Sequence, residues 1–256
     1  MLVSGGSTMS RRLAATVIVL TALVLANPVT AGPADDAEMT RQVSDQLRRS
    51  ATVGHLGLAA KVRDGRVVLE GRALSLGQVR EAEDIAGKVR GVLTLENRIR
   101  LDSRSASDAT IASAVRRKFE DHPELADAGL DVKVDAGSVT LSGKVRDARL
   151  RFAAADAAAE VEGVVEVTDR IESPPKDDES IRKAATALLG RGSLVRVSGK
   201  IETSVKDGVV TLEGSVARLY DRKRSERLVL GINGVRAIEN RLEVNPSRPD
   251  LVIPLD

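Results

Sequence analysis

The sequence predicts an α+β fold made of three tandem αββαβ sandwiches, each with two helices packed on one face of a three-stranded mixed sheet. Three observations support this prediction. A segment of similar sequence occurs three times, as VRDGRVVLEGRA at residues 62–73, VDAGSVTLSGKV at residues 134–145 and VKDGVVTLEGSV at residues 205–216. Glycines recur at one fixed spacing around these segments, and the apolar periodicity alternates between that of a helix and that of a strand.

The glycines align the three copies without a gap. In each copy the second glycine follows the first by six residues, and the third follows the second by twenty. The nine structural glycines are Gly65, Gly71, Gly91, Gly137, Gly143, Gly163, Gly208, Gly214 and Gly234. Six residues after each third glycine comes Asn97, Asp169 or Asn240, in phase with apolar strand residues. For these three side chains we favour a structural role, which satisfies the backbone, over a shared polar site.

Each repeated segment is predicted to be a β-hairpin. Asp64-Gly65 and Asp207-Gly208 signal a tight turn, because both central residues of a type I′ turn need a positive φ. Asp135-Ala136-Gly137 is a looser version of the same turn. Apolar residues alternate on both sides of each turn, which is typical of half-buried strands. A last strand closes each copy.

Two helices accompany each hairpin. The first helix carries apolar residues at helical spacing, and these are Met39, Val43 and Leu47, then Ile111, Val115 and Phe119, then Ile181, Ala185 and Leu188. Ser107 or Asp108, and Asp178, are the predicted N-caps of the second and third of these helices. The second helix lies between the second and third glycines. The third glycine is predicted to follow it directly, as a left-handed C′ residue.

The N-terminus predicts export. Two arginines precede an apolar run at residues 13–26, which is too short to span a bilayer comfortably, and small residues follow it at Val29 and Ala31. We interpret residues 1–31 as a secretory signal peptide cleaved near Ala31, which makes the mature chain periplasmic; a short membrane anchor is the alternative. The chain has no cysteine, so its small domains rely on packing alone and carry no lipidated cysteine.

The mature chain is predicted to divide into three repeats and a tail. The repeats occupy residues 37–101, 107–172 and 177–244, and the tail occupies residues 245–256. The tail is interpreted either as flexible or as a strand that adds to the sheet edge of a partner. Counted with the adjoining linker residues, the net charge is +4 over residues 37–101, −4 over residues 104–173 and +4 over residues 176–244. This alternation reflects either solubility or the docking of neighbouring repeats, which are small and marginally stable alone.

The repeated motif resembles a known family. The V-x-D-G-x-V-x-L-x-G pattern, the glycine twenty residues later and the closing V-x-x-x-x-N-R-I strand resemble the BON domain, found in osmotically induced periplasmic proteins and in envelope lipoproteins. The resemblance extends over residues 37–244. It implies a non-enzymatic module that engages phospholipid surfaces or other envelope proteins, with links to osmotic tolerance and to chaperoning of exported proteins. The matching residues are turns, caps and core, so they identify a fold rather than a binding site.

The residues form no recognisable catalytic or metal-binding pattern. His55 and His122 lie in different repeats without triad or metal-ligand spacing, so we interpret them as loop histidines. Asp177-Asp178-Glu179 opens a helix, where negative charge complements the helix dipole, and this favours a cap over a metal site. With one Tyr, two Phe, no Trp and a formal charge of +2, the chain lacks the stacking residues and basic field of nucleic-acid binders. We predict no catalysis, no cofactor and no nucleic-acid partner.

A basic helix cluster is the sharpest local feature. It lies on the second helix of the third repeat and consists of Arg218, Arg222, Lys223, Arg224 and Arg227. Each basic side chain near an anionic bilayer contributes on the order of 1 kcal/mol, so the cluster predicts weak, salt-sensitive adsorption. The alternative is a solvated helix face with Asp221 and Glu226 as local partners.

The predicted function follows from the cluster and the resemblance. We expect an exported, non-enzymatic envelope protein that binds anionic phospholipid surfaces peripherally and supports envelope integrity or osmotic stress tolerance. The alternative is a periplasmic protein-binding or chaperone-like module for other envelope or exported proteins, which would use the sheet edges and the tail. Salt sensitivity and lipid charge selectivity favour the first hypothesis, whereas capture of client proteins favours the second.

Overall fold

The computed structural model describes residues 33–102, 106–190, 195, 197 and 200–246. The predicted signal peptide and residues 247–256 of the predicted tail lie outside this part of the chain. Within it, no helix combines the length and the apolar character that crossing a membrane requires.

The described chain contains three copies of one unit. Repeat 1 consists of α1 (Pro33–Arg49), a 3-10 turn (Gly54–Leu56), β1 (Ala59–Arg63), β2 (Arg66–Ala73), α2 (Leu76–Lys88) and β3 (Thr94–Leu101). Repeat 2 consists of α3 (Asp108–Glu120), the short α4 (Pro123–Ala126), β4 (Asp131–Asp135), β5 (Ser138–Lys144), α5 (Ala148–Ala159) and β6 (Glu166–Glu172). Repeat 3 consists of α6 (Asp178–Leu189), β7 (Glu202–Lys206), β8 (Val209–Val216), α7 (Leu219–Leu230) and β9 (Ala237–Val244).

The three sheets share one topology, which confirms the predicted fold class. In each sheet the hairpin strands are antiparallel, and the last strand lies parallel to the second hairpin strand. The second helix forms the crossover between the two parallel strands, as in a β-α-β unit. Because both helices pack on one face, each sheet has a covered face and an open face.

Each repeat has its own apolar core between the covered sheet face and the helices. The predicted stripes of α1 and α3 are buried as expected. In α6 the third buried residue is Leu189, whereas the predicted Leu188 is only partly buried. The reason is geometric, since Ile181, Ala185 and Leu189 follow one another at intervals of four and therefore share a face.

Of the two N-cap predictions, the one for α3 is confirmed and the one for α6 is wrong. Ser107 is the N-cap of α3, where its hydroxyl accepts a hydrogen bond of 3.3 Å from the Thr110 N–H. The prediction of Asp178 as the N-cap of α6 is wrong. Asp177 holds that position and accepts a 2.8 Å hydrogen bond from the Ser180 N–H. Hydrogen bonds from the hydroxyl and the N–H of Ser180 lower the pKa of Asp177.

Asp178 instead belongs to a contact that we call the hairpin clamp. In each repeat a carboxylate in the first turn of the first helix accepts two hydrogen bonds from consecutive N–H groups of the hairpin turn. Asp36 binds the N–H groups of Asp64 and Gly65 at 2.8 and 3.3 Å. Asp108 binds those of Ala136 and Gly137, both at 2.9 Å. Asp178 binds those of Asp207 and Gly208 at 2.8 and 2.9 Å.

The turn glycines and the third glycines contact each other. All nine glycines of the repeated frame have positive φ. A Cβ on Gly65 would lie 2.8 Å from the carbonyl oxygen of Gly91, so no larger residue fits without a shift. The prediction that the third glycine directly follows the helix is wrong. Helix α2 ends at Lys88, and Gly91 lies three residues further on, because the intervening residues carry the chain back to the hairpin turn.

Asn97, Asp169 and Asn240 brace the last strand against the second helix, which confirms their structural role. The Oδ1 atom of each accepts a hydrogen bond from the N–H two residues later, at 2.8, 2.8 and 3.2 Å respectively. The other polar atom of each side chain reaches the second helix. Asn97 donates to Glu83 at 2.8 Å, for example, and Asp169 accepts from Arg151 at 3.0 Å.

The hairpin clamp predicts a specific loss of stability. Asp108→Ala removes two hydrogen bonds to a charged acceptor and leaves two turn N–H groups to water, so we expect the free energy of unfolding to fall by about 1 to 3 kcal/mol. Urea unfolding measures this change. The matched control is Asp127→Ala in the same repeat, whose side chain makes no hydrogen bond or ion pair within the described chain, and it should leave the midpoint unchanged. Equal effects of the two substitutions would contradict the clamp.

Candidate functional site

The repeats pack through their second helices. Helices α2, α5 and α7 contact one another. Repeat 2 joins repeat 1 through an ion pair between Arg80 and Asp156 at 2.9 Å. Repeat 3 joins repeat 1 through Leu219, which is buried in the core cluster of repeat 1. The helix faces are therefore occupied by contacts between repeats.

The basic helix cluster lies at the interface between repeats 1 and 3. Lys223 Nζ donates to Glu83 at 2.8 Å, and Arg227 Nη2 donates to both carboxylate oxygens of Asp84 at 2.7 and 2.9 Å. Glu83 and Asp84 are both on α2 of repeat 1. The ion pairs that Lys223 and Arg227 form are thus made to another repeat, rather than to the local partners Asp221 and Glu226.

The remaining cluster residues have contacts within repeat 3. Arg222 donates to the Asn240 carbonyl at 3.2 Å, and Arg224 donates to the Tyr220 hydroxyl at 2.9 Å. Arg218 is the N-cap residue of α7, without a side-chain capping bond. Lys88 of repeat 1 lies 4.8 Å from the centre of the Tyr220 ring, which extends the interface.

Asp84 is the most buried carboxylate of these contacts, whereas its partner Arg227 keeps 44% of its side chain exposed. Asp84 is only 8% exposed. Burial acts to lower the pKa of Arg227, but the charge of Asp84 and the hydrogen bond to it outweigh burial, so the pKa of Arg227 is raised. Arg227 therefore remains charged at neutral pH, and any anion that bound it would compete with Asp84.

The open face of the sheet in repeat 1 carries a different group of cations. Side chains alternate between the two faces along a strand, so every second residue of β1, β2 and β3 faces away from the helices. We call this surface the basic sheet face, and it is formed by Lys61, Arg63, Arg66, Glu70, Arg72, Glu96, Arg98 and Arg100. Six basic and two acidic residues give it a net charge of +4.

The corresponding faces of the other repeats are not basic. In repeat 2 the open face carries three basic and four acidic residues, and in repeat 3 it carries two basic and four acidic residues. Their net charges are −1 and −2, respectively. The three faces share one backbone frame, so the difference lies in the side chains alone.

The acidic residues neutralise only part of the basic sheet face. Arg66 and Arg98 both bind Glu96, and Lys61 binds Glu70 at 3.3 Å. Hydrogen bonds from Arg98 and then Arg66 lower the pKa of Glu96. Within the described chain, the other three cations form no ion pair, and these are Arg63, Arg72 and Arg100. They are exposed and accessible to an anionic partner.

A polar cavity of about 490 Å³ lies where the three repeats meet. Its three basic residues are engaged in ion pairs, namely Arg227 with Asp84, Arg80 with Asp156 and Lys118 with Glu160. Among the residues that the structure describes, no group of three or more His, Cys, Asp or Glu side chains is placed to hold a metal ion. His55 and His122 are exposed; His55 lies in the 3-10 turn after α1, and His122 is the N-cap residue of α4.

Charge counted by repeat does not reveal the basic sheet face. Residues 37–101 and 176–244 have the same net charge of +4, but in repeat 3 much of the positive charge is on α7. Counting alternate residues of RVVLEGRA and TLENRIRL would have separated the open face from the covered face. The signal was therefore present in the sequence.

Comparison with known proteins gives a family match, a similar curated protein and two solved structures with a weaker likeness. The BON domain model matches residues 35–103, 107–175 and 177–246. Osmotically-inducible protein Y of Escherichia coli (strain K12) is 29% identical over 146 residues, which cover 53% of this chain and 72% of that protein. Two solved structures of CdsD, a structural protein of the type III secretion system of Chlamydia trachomatis, are 13% and 14% identical with a TM-score of 0.23. They match 82% of this chain, and 98% and 93% of their own chains.

The contact between repeats 1 and 3 predicts energetic coupling between Asp84 and Arg227. A double-mutant cycle with Asp84→Ala and Arg227→Ala should give a coupling energy of about 1 kcal/mol in urea unfolding, because Asp84 is buried while Arg227 remains partly exposed. In a parallel cycle, Glu81→Ala on the same helix replaces Asp84→Ala. Glu81 forms no ion pair within the described chain, so this cycle should give a coupling near zero. Additive effects of Asp84→Ala and Arg227→Ala would refute the interpretation.

Proposed function

Because the chain belongs to the BON domain family, we propose that it is an exported, non-enzymatic periplasmic protein that binds anionic phospholipid surfaces. One relative is an osmotically inducible protein, and we extend this to a role in envelope integrity under osmotic stress. The observation that carries the lipid proposal is the basic sheet face of repeat 1, with its net charge of +4 on one open surface.

The charge of this face suits reversible adsorption. At on the order of 1 kcal/mol for each basic side chain near an anionic bilayer, a net charge of +4 supplies about 4 kcal/mol. This corresponds to a dissociation constant of about 1 mM, which is weak and reversible. Salt screens such an interaction strongly, because the charges are exposed.

Adsorption would be electrostatic rather than insertive. The apolar side chains on the open face are Ala59 and Val68, which are too small to anchor a protein in a bilayer. Leu74 is the one large apolar residue classed as exposed in the described chain, at 38%. The protein would therefore rest on the headgroups without entering the hydrocarbon.

The basic helix cluster remains a second proposed lipid contact. Lys223 and Arg227 are already paired with Glu83 and Asp84, so a headgroup would compete with these carboxylates. The sheet face involves no such competition, because Arg63, Arg72 and Arg100 are already exposed. We therefore place the main contact on the sheet.

A protein-binding role is the second candidate function. Each described sheet has three strands, so its first and last strands have an outer edge that could accept a strand from a client protein. Such binding would depend on backbone hydrogen bonds, and so would respond little to lipid charge or to salt.

Vesicle flotation tests the lipid proposal with a matched pair of variants. In repeat 1, Lys61→Gln, Arg72→Gln and Arg98→Gln together remove three cations from the basic sheet face. The loss should weaken binding to vesicles containing phosphatidylglycerol on the order of 100-fold at low salt, and wild-type binding should fall in high salt.

The control removes three cations from the equivalent positions of repeat 2, through Lys133→Gln, Lys144→Gln and Arg170→Gln. It lowers the net charge of the protein equally but should retain binding. Equal weakening by both triple variants would show that the site is not the sheet of repeat 1. Absence of wild-type flotation with any vesicle would reject the lipid proposal and favour a protein partner.

A further inference from the structure

Two arginines face each other at one end of the basic sheet face. Arg72 on β2 and Arg100 on β3 are directly paired in the parallel register. Neighbouring strands lie about 4.8 Å apart, so the two side chains leave the sheet side by side. Neither forms an ion pair or a side-chain hydrogen bond within the described chain.

The equivalent positions in the other repeats have a different chemistry. In repeat 2 they are Lys144 and Glu172, which form an ion pair at 3.4 Å. In repeat 3 they are Ser215 and Glu243. Three copies of one frame thus give an opposite-charge pair, a neutral and acidic pair, and in repeat 1 a pair of like charges.

Like charges directly opposite each other on neighbouring strands destabilise a sheet. The fold does not require this arrangement, because repeats 2 and 3 have the same register without it. A bound anion between the two guanidinium groups would turn the repulsion into attraction. The pair therefore has the properties of an anion site that is completed by its ligand.

We propose that Arg72 and Arg100 form a clamp for the phosphate monoester of a lipid headgroup. This inference rests on the proposed function and specifies its ligand. Each guanidinium presents a planar fork that can donate two parallel hydrogen bonds to a phosphate. A phosphate monoester has three terminal oxygens and a charge of about −1.5 to −2, so it can engage both forks. A diester headgroup has one fewer free oxygen and a smaller charge.

The hairpin end of the same face supplies an internal control. Arg63 and Arg66 are also directly opposite each other, on β1 and β2. Arg66 is bound to Glu96, so this second pair already has an acidic partner. Replacing either pair of arginines by lysines keeps the charge of the face but removes the bidentate fork.

The test compares two anionic lipids at equal surface charge. Phosphatidylcholine vesicles carry either phosphatidic acid, a monoester, or phosphatidylglycerol, a diester, in amounts adjusted to the same zeta potential. We expect the wild-type chain to bind the phosphatidic acid vesicles about tenfold or more tightly, because only the monoester engages both guanidinium forks. The variant Arg72→Lys with Arg100→Lys should lose this preference and keep its binding to phosphatidylglycerol. The control, Arg63→Lys with Arg66→Lys, should retain both.

Each other outcome has a defined meaning. Equal wild-type binding to both lipids, or equal loss of the preference in both variants, overturns the clamp while leaving the proposed membrane function intact. Failure to bind either vesicle overturns both proposals. Urea unfolding midpoints that match the wild type establish that the lysine variants are folded.

Discussion

The hairpin clamp is the contact on which the rest of each repeat depends. A unit of this size without a disulfide bond is only marginally stable. Its hairpin turn presents two consecutive N–H groups that the sheet cannot satisfy. A single carboxylate, such as Asp36 or Asp178, accepts both and thereby ties the first helix to the hairpin. The turn glycine is then placed against the third glycine, which sets where the last strand begins.

This construction divides each repeat into two surfaces with separate uses. The helix side forms the contacts between repeats. Helices α2, α5 and α7 contact one another, and the carboxylates of Glu83 and Asp84 bind cations of α7. The open sheet side makes none of these contacts between helices. Side chains there can change between repeats without disturbing the core, and the charges of the three open faces differ accordingly. Binding functions are therefore expected on the sheets.

The fold could be predicted from the sequence, but the charged surfaces and the contacts between repeats could be predicted only in part. Helical and strand periodicities, together with the glycine frame, predicted three units and their topology, because those signals are local. The errors at Asp178 and Gly91 arose where a residue serves a partner distant in sequence. The contact between Lys223 and Glu83 joins residues 140 positions apart, and it depends on how whole repeats pack. The basic sheet face was accessible to sequence reasoning through alternate residues, but net charge by repeat concealed it.

The open faces of the three repeats differ in net charge, and this difference would determine how the protein binds to an anionic surface. Identical basic faces would add avidity, and the chain could then bind through any repeat. Here the faces of repeats 2 and 3 have net charges of −1 and −2, so an anionic bilayer would repel them while it attracts repeat 1. The ion pairs that hold α7 against α2 would carry this orientation to repeat 3. Repetition of the fold would thus provide a fixed orientation on the membrane, with the acidic sheet faces of repeats 2 and 3 held away from the headgroups.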